Sequence, residues 1–130
     1  MQWQYDPENA IKDENSPHPI PKAWRPALRE VVSAFAAGDY SLKRAILSIA
    51  PIRAAIANQI KAYVAHYGEK LTALPDETWR TSVSQWTGTH WDVLVDLWTV
   101  ESGASDLVLS ARVFEVDAGF RIEIDSVHVP

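Results

Sequence analysis

The sequence predicts an α+β fold, with three N-terminal helices packed on a four-stranded antiparallel meander sheet. Two observations carry this. Apolar residues recur at three- and four-residue steps from Lys22 to Gly68, then at every second residue from Trp79 to Val129. Helices first, then strands joined by short Gly-containing connections, describe two segregated layers. The 130 residues suit about one domain, long enough to bury a core without disulfide or metal.

Residues 1 to 21 read as a proline-rich N-terminal arm, and 22 to 130 as the single α+β domain. Pro7, Pro17, Pro19 and Pro21 remove amide donors and favour extended backbone, with Trp3, Tyr5 and Ile20 as candidate anchors. The first helix starts at Lys22, tolerates Pro26 in its first turn and turns Trp24, Leu28, Val31, Val32 and Phe35 inward. Gly38 supplies its left-handed cap. A second helix is expected from about Tyr40 to Ile49, capped by Asp39 or Ser41, with Leu42, Ala45, Ile46 and Ile49 inward. Pro51 opens the third, whose stripe is Ile52, Ile56, Ile60, Tyr63, Val64 and Tyr67, closed by Gly68.

Four strands are expected: Trp79 to Trp86, His90 to Val100, Asp106 to Glu115 and Phe120 to Val129, joined by "TGT", "ESGAS" and "VDAG". Register follows from keeping like with like on each face, because a slip of one residue exchanges the faces. The last hairpin then pairs Glu115 with Phe120, Val113 with Ile122 and Ala111 with Ile124, and on the reverse Arg112 with Glu123, Phe114 with Arg121 and Ser110 with Asp125. The hairpin before it pairs Val93 with Val113, Val95 with Ala111 and Leu97 with Leu109, and the first sets Arg80 against Asp96. Helices should cover the Val93-Val95-Leu97 face, to which His128 also belongs in this register. The opposite face is left mixed, polar and aromatic.

That outer face holds the candidate site: Asp92, Asp96, Trp98, Phe114, Arg112, Arg121, Glu123 and Asp125. Asp92 and Asp96 do not make a close acid pair, since four strand residues separate them by about 13 to 14 Å, against roughly 5 to 9.5 Å for glycosidase carboxylates. Exposed charge networks contribute little to stability. Aromatic anchors ringed by charge instead suit a protein partner. His128, directed inward, is the alternative catalytic candidate, as a general base beside a carboxylate. His18, His66, His90 and His128 lack metal-ligand spacing, and neither a nucleophile elbow nor a Gly-rich phosphate loop is present, so no metal and no cofactor are expected.

Net charge is −5 and unevenly placed: residues 1 to 75 hold nine Lys/Arg and seven Asp/Glu, and 76 to 130 hold three and ten. Acidic strands disfavour nucleic acid and favour basic partners. Without cysteine, a signal-peptide pattern or a long apolar run, a cytoplasmic protein with no membrane contact is expected.

Two resemblances accompany these readings. "SAFAAGDY" and "VFEVDAGFRIEIDSVHV" look like the first helix and last hairpin of nuclear-transport-factor-like cone folds, shared by polyketide-cyclase-like enzymes. That resemblance implies a small ligand held between helices and sheet, with His128 inside. As a small, acidic, cysteine-free α+β domain with an aromatic-and-carboxylate face, the chain also resembles bacterial immunity proteins. These neutralise a cognate toxin. This implies a non-enzymatic role, with Asp92, Asp96, Glu123 and Asp125 facing a basic toxin domain and Trp98 and Phe114 as anchors.

Overall fold

A computed structural model describes residues 10–130; Trp3, Tyr5 and Pro7 lie outside the described residues. Its sheet has five antiparallel strands, β1 (His18–Pro19), β2 (Val83–Trp86), β3 (Trp91–Thr99), β4 (Gly103–Val116) and β5 (Gly119–His128), each beside its neighbour in sequence. Two helices, α1 (Arg25–Ala36) and α2 (Ala54–Tyr67), join it. The expected three helices on four strands are therefore corrected to two on five.

The helices that form do so for the reasons their sequences give. Leu28, Val31, Val32 and Phe35 put α1 into the core, and Ile60 and Val64 do the same for α2. Gly38, at φ +88°, ends α1 by letting its own amide reach Phe35 O at 2.9 Å and that of Asp39 reach Ala34 O at 2.9 Å. Gly68, at φ +86°, closes α2.

The helix expected over Tyr40 to Ile49 is absent. Asp39 does cap, its carboxylate accepting the Lys43 amide, but Leu42 and Ser48 take positive φ and the chain opens. A ten-residue helix is marginal alone, whereas the outer edge of β5 offers unpaired backbone. Ile122 donates to Ser48 O at 2.7 Å, and Ala50 donates to Ile122 O at 2.8 Å, covering that edge.

A further correction falls on the first expected strand. Residues Asp76–Arg80 form a 3-10 turn, and pairing starts only at Val83. Pro75 and two acids in the first turn favour the helical start. Trp79 is buried there, with the Arg25 and Arg29 guanidinium groups 5.3 and 5.6 Å from its ring. Beyond the short β2, the rest of the β3 edge is taken up locally: Thr72 donates to Trp98 O, Val100 to Lys70 O, and the Thr78 hydroxyl to Asp96 O.

Register departs from expectation in three places. Val93 pairs with Ala111 and Val95 with Leu109, two residues from the expected rungs, so the faces survive. Val83 pairs with Leu94, one residue off, so no Arg80–Asp96 rung exists and Val83 and Gln85 take the outer face. Between Ala111–Ile124 and Ser110–Ser126, Asp125 is an extra residue on β5. That bulge shifts the alternation, keeping Ile122, Ile124 and Val127 inward and putting His128 opposite Val108 on the outer face. A second irregularity sets Asp96–Val108 and Trp98–Ala104 on successive rungs; Ser105 there donates to Leu97 O at 2.7 Å and accepts from the Leu107 amide.

The described part of the arm is tied to the sheet. Ile20 is fully buried, the Trp91 indole donates to Ile11 O at 3.1 Å, and His18–Pro19 add the edge strand β1, where proline is tolerated. Asp13 is nearly buried. Its carboxylate lies 2.9 Å from His18 Nε2 and accepts from the Asn15 amide and the Ser16 hydroxyl, each at 2.9 Å. These bonds, that of His18 foremost, hold its carboxyl below the usual carboxylate range.

Two outcomes follow from this packing. Leu109, fully buried on the central strand, when cut to alanine should lose about 2 to 5 kcal/mol in urea unfolding, and a loss below about 1 kcal/mol would contradict its place in a close-packed core. A depressed folded-state pKa at Asp13 gives stability that is present above the unfolded value and lost as pH falls through the folded one. Asp13→Asn should therefore lower the urea midpoint at pH 7 and flatten its decline below about pH 4; an acid limb as steep as that of the unsubstituted protein argues against this linkage.

Candidate functional site

No helix covers the outer face of β3–β5, and the strand alternation assembles it row by row. One rung is Asp92–Arg112–Glu123, the next Leu94–Ser110–Ser126, the next Asp96–Val108–His128. Trp98 lies beyond, opposite Ala104 and against Gly103, where an added Cβ would come within 3.7 Å of its ring. At the other end Phe114 pairs with Arg121. Seven of the eight expected outer-face residues thus sit on regular rungs of one surface, and Asp125 joins them from its bulge.

Charge on this face is largely arranged around two arginines. Arg112 Nε and Nη2 donate to Asp125 Oδ1 at 3.2 and 3.0 Å, and Nη2 lies 3.9 Å from Glu123 Oε1. Asp125 first, then Glu123 and Asp92, raises the Arg112 pKa above its ordinary value. Arg121 donates to Glu123 Oε2 at 3.2 Å while its guanidinium lies 5.5 Å from the Phe114 ring. Asp96 has no ion-pair partner among the described residues. The face therefore carries aromatic and aliphatic surface in a lattice of mostly satisfied charge, with Leu94 38% exposed at its centre.

His90 belongs to this face and is the residue that sequence reasoning missed. Its Nε2 lies 3.1 Å from Asp92 Oδ1, its Nδ1 2.9 Å from Thr89 Oγ1, and its ring 5.1 Å from Phe114. The signal was available: positions i and i+2 of one strand share a face. Phe114 is thus held between an imidazole and a guanidinium. Local contacts fix His90 at the end of the β2–β3 turn, which makes it a support for Phe114.

His128 stands apart. Its Nδ1 is 3.0 Å from Ser126 Oγ, and it lines a groove of about 540 Å³ between α2 and β5 with Tyr63 and His66. The space beneath the helices is filled by Val93, Val95, Leu97, Leu109 and Val113, all fully buried. Among the described residues, no three His, Asp or Glu side chains gather as a metal site, and no helix is long and apolar enough to cross a membrane.

These features define a class: a small α+β domain with one sheet face packed and the other open, charged and aromatic. The model of a domain of unknown function, DUF7668, matches residues 32–130, and the chain belongs to that family. No curated protein and no solved structure matches it.

Because the ion pairs of this face are exposed, Arg112→Gln and Asp92→Asn should each change unfolding free energy by less than about 1 kcal/mol. Urea titration checks this; a loss above about 2 kcal/mol for either would mean the lattice serves the fold.

Proposed function

We propose that the protein is a non-enzymatic binding domain whose outer sheet face docks another protein, most concretely an immunity protein that neutralises a cognate bacterial toxin in the cytoplasm. One observation carries the reading: Leu94, Trp98 and Phe114 remain partly accessible within a lattice of exposed charge, of the kind that contributes little to stability. Aromatic anchors of this kind supply most of the energy at a protein interface, and the charges around them supply orientation and association rate. The acidic excess of residues 76 to 130 suits a basic partner surface. Cysteine-free composition agrees with a reducing compartment. Nothing in the placement of His128 favours an enclosed ligand site.

The test is co-expression with any toxin domain that a neighbouring gene is found to encode. Protection of the host cell and co-purification are expected for the unsubstituted protein, and both should fall at least tenfold with Asp96→Lys combined with Glu123→Lys, circular dichroism remaining unchanged. Equal protection and recovery with the double substitution would refute the surface.

A further inference from the structure

At the β2 margin of the outer face lies a groove of about 500 Å³ whose walls come from three parts of the chain. Its floor is the cross-strand pair Val83–Leu94, and the next rung is Gln85–Asp92. Glu14, from the arm, forms the opposite wall. An apolar rung and a carboxylate rung two residues apart are separated by about 7 Å. That is the length scale of a side chain with an aliphatic stem and a charged end.

Glu14 is held there by its surroundings. The preceding Asp13 anchors the turn, the Gln85 side-chain Nε2 donates to Glu14 O at 3.1 Å, and the Glu14 carboxylate rests against the β2–β3 turn. A Cβ on Gly88, which has φ +104°, would come within 3.0 Å of Glu14 Oε1. The turn closes under the carboxylate because it has no side chain.

Among the described residues no lysine or arginine pairs with the carboxylates of the groove. Glu14 has no ion pair among the described residues. Lys12 is paired with Glu115 at 2.6 Å, its ammonium 5.0 Å from the ring of Trp86, which also lines the groove. Among the described residues Asp92 hydrogen-bonds only to the His90 ring; it lies across the rung from Arg112 and is felt there through its field without an ion-pair contact, whereas Glu123 and Asp125 contact arginines directly.

We infer that this groove receives a basic side chain of the protein partner, its stem on Val83 and Leu94 and its charge between Glu14 and Asp92. The inference rests on the reading of the outer face as a protein-binding surface and names the chemistry of one anchor on the partner. Two carboxylates on separate elements suit a guanidinium, whose fork can bond both.

Titration of the isotope-labelled full chain with Nα-acetyl-arginine methylamide tests it by amide chemical shifts, with Nα-acetyl-norleucine methylamide as control. Saturable shifts at Val83, Gln85 and Leu94 are expected with the arginine probe alone, weakened about two- to fivefold by Glu14→Gln and by Asp92→Asn, and weakened by added salt. Equal response to both probes, or affinity unchanged in both variants, would overturn the groove. Partner capture separates the two readings: loss with Asp96→Lys/Glu123→Lys but full retention with Glu14→Gln/Asp92→Asn refutes the groove and leaves the surface standing. Arginine binding in the groove with capture indifferent to Asp96→Lys/Glu123→Lys keeps the groove and refutes the wider surface.

Discussion

The inner face of β3, and of β4 from Leu107 to Val113, is buried, and the rest of the structure depends on keeping it so. β4 has 14 residues, so it extends for about 46 Å, whereas helices of 12 and 14 residues reach only about 18 and 21 Å. Two helices do not roof the whole of such a strand, and its ends, at Ala104 and at Glu115 and Val116, are exposed. The irregularities at Asp96/Trp98 and Ser110/Ala111 bend and twist the sheet while returning apolar residues to the inside, so that Leu107, Leu109, Ala111, Val127 and Leu97 all remain buried. What the helices leave open at one end is filled by aromatic packing: Trp24 lies 5.3 Å from Trp91 and 6.1 Å from Phe120, and Trp86 lies 4.5 Å from Trp91.

That constraint also explains what could be read from the sequence. Period-two alternation identifies the inner set Val93, Val95 and Leu97 and the rungs Arg112–Glu123 and Phe114–Arg121, because each is a local consequence of the pleat. The β3–β4 register is two residues from the expected one, and alternation alone cannot detect it: an even shift leaves both faces chemically alike. A bulge at Asp125 is hidden for a related reason. "DSVH" offers polar residues on either side of the change, and only the inward demand of Val127 discloses it, which is why His128 reads as interior. The segment from Tyr40 to Ile49 has helical spacing, yet backbone pairing with Ile122 lies 73 to 82 positions away and overrides local propensity. β1 escapes notice because two residues between prolines present no pattern to count.

The uncovered face follows from the same geometry. A sheet whose helices lie on one side leaves the other to solvent, and natural sheets make such faces polar. Here the polarity is structured. Arg112 and Arg121 contact Asp125 and Glu123, with Asp92 across the rung from Arg112, so the acids without an arginine contact, Asp92, Asp96 and Glu14, shape the field around Leu94. Phe114, between Arg121 and His90, has its ring orientation fixed before anything binds. Preorganised aromatic surface lowers the ordering cost of association.

Glu14 couples this face to the arm. Its carboxylate position depends on the turn that Asp13 closes with Asn15, Ser16 and His18, and on β1, which fixes His18 beside Ser84. Any ligand that gains energy from Glu14 in the groove binds better when that turn is formed than when it is open, so ligand and turn must stabilise each other by equal amounts. On the proposed reading, the buried carboxylate of Asp13 would therefore tune partner affinity without touching the partner. A proline-spaced segment that looks like a loose leader in sequence becomes, through one short strand and one closed turn, a wall of the groove beside the outer face.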